Sequence, residues 1–445
     1  MRNKRFFVPG TAAAALLFLS LHAHAILPIQ HWQTSSGAQV YFVENRDLPM
    51  LDLSIEFPAG AAFDSRDKSG AASMANQMLR LGAEGMNEDE IARGMADIGA
   101  VLSPRFDSDR AGLALRTLTS SAERKQALDI FSRVLQRPEF PAAVIEREKG
   151  RRIAALKEAD TKPDSIATRT FYRLIYRDHP YAMRAAGEIE TVGRLTRQDL
   201  VDFYRRHYVA QRAVVALIGD LSRAEAAAIA EEITAQLPQP DGAAPALPPV
   251  AGLAAGSTHT VAHPASQSHI FIGAPGIRRD DPDYYTLFVG NYVLGGGGFV
   301  SRITEEVRQK RGLAYSAYSY FSPLRQQGPF LIGMQTQRDQ AQEALSVVDK
   351  TLRDFVAGGP TAQELTAAKQ NIIGGFPLRI DSNRKLHEYL GVIGFYRLPL
   401  TYLGDFVKNV ERVTAADIKN AFARHIDPDK LVTVVVGAAE DKVAP

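Results

Sequence analysis

Arg308 and Tyr315 stand seven residues apart, with Gly312 between them. A guanidinium and a phenol are hydrogen-bond donors of the kind that stabilise a developing oxyanion. Taken alone, an arginine at a helix end is usually a surface charge and a tyrosine in a strand usually a packed ring. The elements around them decide how they are held. The surrounding stretch, 294–321, reads LGGGGFVSRITEEVRQKRGLAYSAYSYF. Four glycines precede a short amphipathic helix with Val300, Ile303 and Val307 at helical spacing. Glu305 and Glu306 come before Arg308, Lys310 and Arg311, so charge follows the helix dipole. Gly312 falls where a left-handed C-cap is expected, and the aromatic run after it reads as a strand. Arg308 is thus expected on the last helical turn and Tyr315 at the start of the strand that folds back.

The pattern Gly-Gly…Ser301-Arg302…Arg308-x-Lys310-Arg311-Gly312-Leu313-Ala314-Tyr315-Ser316 resembles the second half of pitrilysin/insulinase-type zinc peptidases, the inverzincins that carry H-x-x-E-H. The resemblance implies that Arg308 and Tyr315 contact substrate backbone and help stabilise the tetrahedral intermediate. It also implies where zinc chemistry should be, on the helix expected over 69–81. There the register Gly70-Ala71-Ala72-Ser73-Met74-Ala75-Asn76-Gln77-Met78 aligns with the family's G-L-A-H-F-L-E-H-M. Ser73 and Gln77 replace the two zinc histidines, and Asn76 replaces the general-base glutamate. Zinc takes imidazole, thiolate or carboxylate ligands, and an amide cannot accept a proton from metal-bound water. The third ligand's position falls nearest Glu148, 71 residues after Gln77, with Glu146 competing; without histidine partners, a solvated or salt-bridged role is expected. None of the histidines at 31, 179, 207, 259, 263, 269, 387 and 425 pairs at i,i+4, so no substitute helical site is visible. The expectation is a chain that binds no metal of its own. His207 and His425 are read as helix-end packing or capping residues.

Composition excludes several other classes. The 445 residues are 45% hydrophobic and 23% charged, with a formal net charge of +2 and no cysteine. Thiolate metal sites, disulfides and lipidation at a cleavage site are therefore absent. The densest basic patch, Lys149-Gly150-Arg151-Arg152, is too short to suggest nucleic acid. No G-x-S-x-G elbow is present. Residues 1–25 read as a signal peptide: Arg2, Lys4 and Arg5, an apolar core over 6–21, and cleavage after Ala25 in Ala23-His24-Ala25. The expectation is a periplasmic or secreted protein with no membrane span in its mature chain.

Two stretches related by an offset of 218 organise the rest. Thr196/Thr414, Asp199/Asp417, Leu200/Ile418, Arg206/Arg424, His207/His425 and Gly219/Gly437 align over 196–219 and 414–437. Each copy reads as a capped helix, a turn and a buried apolar strand, which argues for two homologous halves. Between them, 237–256 holds eight Pro or Gly, a linker composition. The expected organisation is 26–236 and 257–445 around that linker. The resemblance implies an α+β chain of two such domains, each a mostly antiparallel sheet with helices on one face, forming half of a peptidase clamshell.

Two functions follow as expectations. In the first, the chain is a non-catalytic subunit of a heterodimeric zinc peptidase. It supplies Arg308 and Tyr315, while an H-x-x-E-H partner supplies zinc and base for unfolded peptide substrates. In the second, it is a peptide-binding or scaffold protein on an inactive peptidase fold.

Overall fold

The computed structural model describes residues 28–240 and 242–438; the expected signal peptide lies outside them. Among the described residues, no helix is long and apolar enough to cross a membrane. Among the described residues, thirteen strands form two large sheets and one small hairpin. The first sheet contains β1 (Gln30–Gln33), β2 (Gln39–Glu44) and β3 (Met50–Phe57). After the hairpin β4 (Gly82–Ala83) and β5 (Met86–Asn87) it continues with β6 (Val101–Phe106), β7 (Ala111–Leu118) and β8 (Val214–Gly219). The second sheet is built from β9 (Ser257–Ala262), β10 (Gln267–Pro275), β11 (Ala314–Phe321), β12 (Pro329–Gln337) and β13 (Val432–Ala438).

The strand orders are β1-β2-β8-β3-β7-β6 and β11-β12-β10-β13-β9. Reversing the second order superposes β9 on β2, β13 on β8, β10 on β3, β12 on β7 and β11 on β6. The one parallel pairing falls at the same place in each sheet, β2 with β8 and β9 with β13. The repeated sequences sit at equivalent positions too. Thr196 and Thr414 each cap a helix by a reciprocal box with Asp199 and Asp417. Gly219 ends β8 and Gly437 is the last but one residue of β13, at φ +155° and +114°, where a Cβ would lie 2.1 Å from the Met50 carbonyl and 2.6 Å from that of Gln267.

Each sheet packs one face against helices of its own half. The other face is covered by a helix lent by the opposite half. Helix Pro163–Tyr176 lays Ala167, Phe171 and Ile175 on Val432, Val434 and Val436 of β13. Helix Asn383–Phe395 lays Leu390 on Val43, Ala216 and Ile218 of the first sheet. Its Gly394 passes so close to β8 that a Cβ would sit 2.5 Å from Val214 Cγ1. This exchange explains why β8 and β13 are apolar without alternation: both faces are buried. It also adds to the expected layering a single helix on each sheet's second face.

The connector is pinned rather than free. Leu247 is buried with Val250 and Leu253 beside the exchanged helix, and His179 Nε2 lies 2.9 Å from the Pro248 carbonyl. A second clamp joins the halves at Asp109, on the β6–β7 turn and fully buried. Its carboxylate accepts from the Tyr181 hydroxyl (2.6 Å), the Tyr396 hydroxyl (2.9 Å) and the Arg325 amide (2.7 Å). Burial pushes this carboxyl above its ordinary range, against the pull of those donors.

Candidate functional site

The first cluster is built on helix Ala71–Met78, shorter than the expected 69–81. Alanine-rich sequence favours the helix. Its amino end is closed by Asp64, which accepts from the Gly70 and Ala72 amides at 2.7 Å each. Burial raises the Asp64 carboxyl to about 7, opposed by those amides and by Arg152. Residues 73 and 77 share one helix face. Arg152, on helix Ala142–Ala159, spans that face with a forked guanidinium. One Nη donates to Ser73 Oγ and the other to Gln77 Oε1 (2.6 Å). Gln77 Nε2 donates in turn to Glu148 Oε2 (2.8 Å). Glu148 Oε1 accepts from Arg147 (2.9 Å) and Arg151 (2.8 Å).

Glu148 is therefore the residue brought to the motif; it is ion-paired but buried, not solvated. Its competitor Glu146 is exposed and pairs with Lys149. Asn76 turns away from Arg152 into the core. Its amide nitrogen donates to the Gly112 carbonyl (2.9 Å) and the Tyr208 hydroxyl (3.1 Å). A hydroxyl, an amide and one saturated carboxylate around a fixed cation do not fit zinc. Arg152 escaped the sequence reading because it belonged to an ordinary charged patch. Its signal was spacing: it follows Glu148 by four residues and so shares a helix face with it.

The second cluster surrounds Arg308 and Tyr315. The helix begins at Arg302, runs Arg302–Thr304 and widens into a π turn over Glu305–Gln309. Gly312, at φ +64°, caps it in the left-handed region, and its amide returns to the Arg308 carbonyl (2.9 Å). β11 then starts with a register shift between Ala314 and Ser316, which turns Tyr315 outward to 80% exposure. The Arg308 guanidinium lies between two rings, 4.5 Å from the centre of Tyr315 and 4.6 Å from that of Phe299. Among the described residues it has no carboxylate partner, whereas its neighbours do. Arg302 pairs twice with Glu364 at 2.7 Å and holds that carboxyl down at about 2. Lys310 and Arg311 pair with Glu306. The expected inward Val300 is 71% exposed: the turn Gly298–Val300 precedes the helix and breaks its phase, leaving Ile303 and Val307 inward. Phe299, passed over in the sequence, becomes one wall of the arginine's cradle. Gly295 lets the glycine run approach β11, since a Cβ there would lie 2.4 Å from Ser319 Oγ. No hydrogen bond or ion pair joins the two clusters among the described residues.

Residues 43–188 match the family described as Insulinase (Peptidase family M16), and residues 194–372 match Peptidase M16 inactive domain. A Pseudomonas fluorescens crystal structure described as a peptidase M16 inactive domain is 36% identical. It covers 93% of this chain and 98% of its own, with a TM-score of 0.89. The chain belongs to the insulinase (M16) peptidase family. A Helicobacter pylori relative named non-peptidase homolog YmxG is 25% identical over 94% of this chain and 96% of its own length. A Streptomyces coelicolor relative named as an uncharacterized zinc protease is 26% identical over 88% and 86%.

In this insulinase-family chain the two repeat histidines serve packing and capping. His207 stacks on Phe203 with ring centres 4.3 Å apart, and burial pulls its pKa down to about 4. His425 lies 2.9 Å from Asp283 at the start of helix Tyr284–Asn291. Asp281, Asp283 and His425 bring three possible ligand atoms together, but Arg424 already bonds Asp283 at 2.8 and 2.9 Å.

Proposed function

We propose that this chain is the non-catalytic, substrate-binding subunit of a two-chain periplasmic zinc peptidase. The observation that carries the reading is the contrast between the two clusters. The helix that would hold zinc is occupied by an arginine network, while Tyr315 is exposed and Arg308, half-buried between two rings, has no carboxylate partner among the described residues. The partner supplies H-x-x-E-H, zinc and the general base. Arg308 and Tyr315 orient the scissile peptide of an unfolded substrate and donate to the oxygen that gains charge. The ring pair around Arg308 limits its rotamers, so little ordering remains when substrate arrives.

The test is recovery of the tagged full chain from its own periplasm, followed by cleavage of a quenched peptide library with and without chelator. Chelator-sensitive activity is expected in the recovered sample and not in the chain purified alone, with an H-x-x-E-H protein co-eluting. Zinc-dependent cleavage by the isolated chain would overturn the reading. An inactive eluate lacking such a protein would favour a scaffold or peptide-holding role. That role draws on the same Arg152 network, which preserves the helix while discarding its chemistry.

A further inference from the structure

We infer that Arg152 is a built-in substitute for the metal: its guanidinium takes the place of a cation at residues 73 and 77, with Glu148 tied in through Gln77, and keeps a divalent ion out even when the ligands are restored. The inference does not depend on whether the chain pairs with a peptidase.

Three features carry it. First, the fork engages positions 73 and 77 together, one Nη to each, so a metal bridging those positions would meet a positive charge within hydrogen-bond distance. Second, the carboxylate that would complete a site is already used on both oxygens. Glu148 Oε2 takes the Gln77 amide, and Oε1 takes Arg147 and Arg151. Third, the group is fixed and cannot discharge. Arg152 and Glu148 rise from the same helix four residues apart, and an arginine does not deprotonate in a protein. Lysine or histidine could yield a proton to an incoming ion; arginine has no such escape. The barrier to zinc therefore lies partly outside the motif that the family uses to hold it.

The test uses zinc itself and the full chain. One variant carries Ser73→His, Asn76→Glu and Gln77→His; a second carries these and Arg152→Leu. Zinc content after dialysis and competition against a chromophoric chelator are measured on both. The variant retaining Arg152 is expected to hold no stoichiometric zinc. The one lacking it should hold about one ion per chain, with affinity higher by at least about a hundredfold, given a unit charge removed from beside a dication. Equal zinc affinity in the two variants would overturn the inference, as would absence of zinc from both. Thermal melting covers the case in which the fourfold variant fails to fold. Arg152→Leu alone should lower the midpoint of the native-motif chain, because Ser73 and Gln77 lose their shared donor, and Arg152→Gln should recover part of the loss. An unchanged midpoint in Arg152→Leu would refute the role as well.

Discussion

Phe171 offers the sharpest test of how the two halves are coupled. It is fully buried on the exchanged helix Pro163–Tyr176, edge-on to Phe271 at 6.0 Å, with its ring tip against Gly273 of β10. Phe171→Ala removes a ring that belongs to the first half by sequence and supports the second sheet by contact. Loss of a buried phenylalanine costs about 3–5 kcal/mol, including the cavity it leaves. The chain has one tryptophan, Trp32, on β1 at the far edge of the first sheet, with the Arg223 guanidinium 3.1 Å over its ring. Its fluorescence reports the first half, while far-ultraviolet circular dichroism reports the whole chain. If the halves melt as one unit of roughly 400 residues, the unfolding entropy is about 0.8 kcal/mol/K, so a loss of about 4 kcal/mol lowers both midpoints by about 5 °C. If they melt separately, the same loss falls on about 200 residues. The shift then doubles to about 10 °C and leaves Trp32 where it was. A displaced dichroism transition with an unmoved Trp32 midpoint would refute the coupling assigned to the exchanged helices.

Other outcomes follow from the sites. In the proposed two-chain enzyme, Arg308→Ala should lower kcat about a hundredfold or more, the usual loss of an oxyanion donor, with assembly and melting midpoint unchanged; Tyr315→Phe should lower it by less. Both are read in a steady-state peptide assay beside size-exclusion chromatography. Asp109→Ala strands two buried tyrosine hydroxyls and a backbone amide and should destabilise by about 2–4 kcal/mol in urea titration, whereas Asp109→Asn should recover part. Burial pulls the His387 pKa down to about 4, below its unfolded value, so the stability tied to neutral His387 is present above about pH 6.5 and lost as pH falls through 4. Replacing it by leucine should flatten that part of the acid limb, by up to about 3 kcal/mol between pH 7 and pH 4, in stability measured against pH.

The sequence made local devices legible and long-range ones not. Reciprocal capping at Thr196/Asp199 and Thr414/Asp417, the left-handed Gly312 and the buried runs of β8 and β13 all arise within a few residues of the chain. The 218-residue offset carried the same devices into both halves, and the strand orders repeat accordingly. Val300 was misplaced and Phe299 passed over because a glycine-rich turn resets helical phase, which periodicity alone does not reveal. The helix exchange left only an indirect trace. Helices Pro163–Tyr176 and Asn383–Phe395 look like any amphipathic segment, and which sheet each covers is decided by topology. The clue was that β8 and β13 are apolar on faces for which their own half provides no cover. Arg152 was hidden differently: its meaning depends on a helix some 75 residues earlier in the chain.

The reciprocal loan of helices bears on how such a chain could be inherited or cut. Either half expressed alone would present a bare apolar sheet face and carry an orphan helix with nothing to lie on, two routes to precipitation in one fragment. A single backbone cleavage in the Pro/Gly-rich connector should leave the pieces clasped, each holding the other's helix. With the helices exchanged, neither half can be removed without baring the other's sheet. Whatever becomes of the residues at 73, 76 and 77, the first half's helix stays part of the second sheet's core.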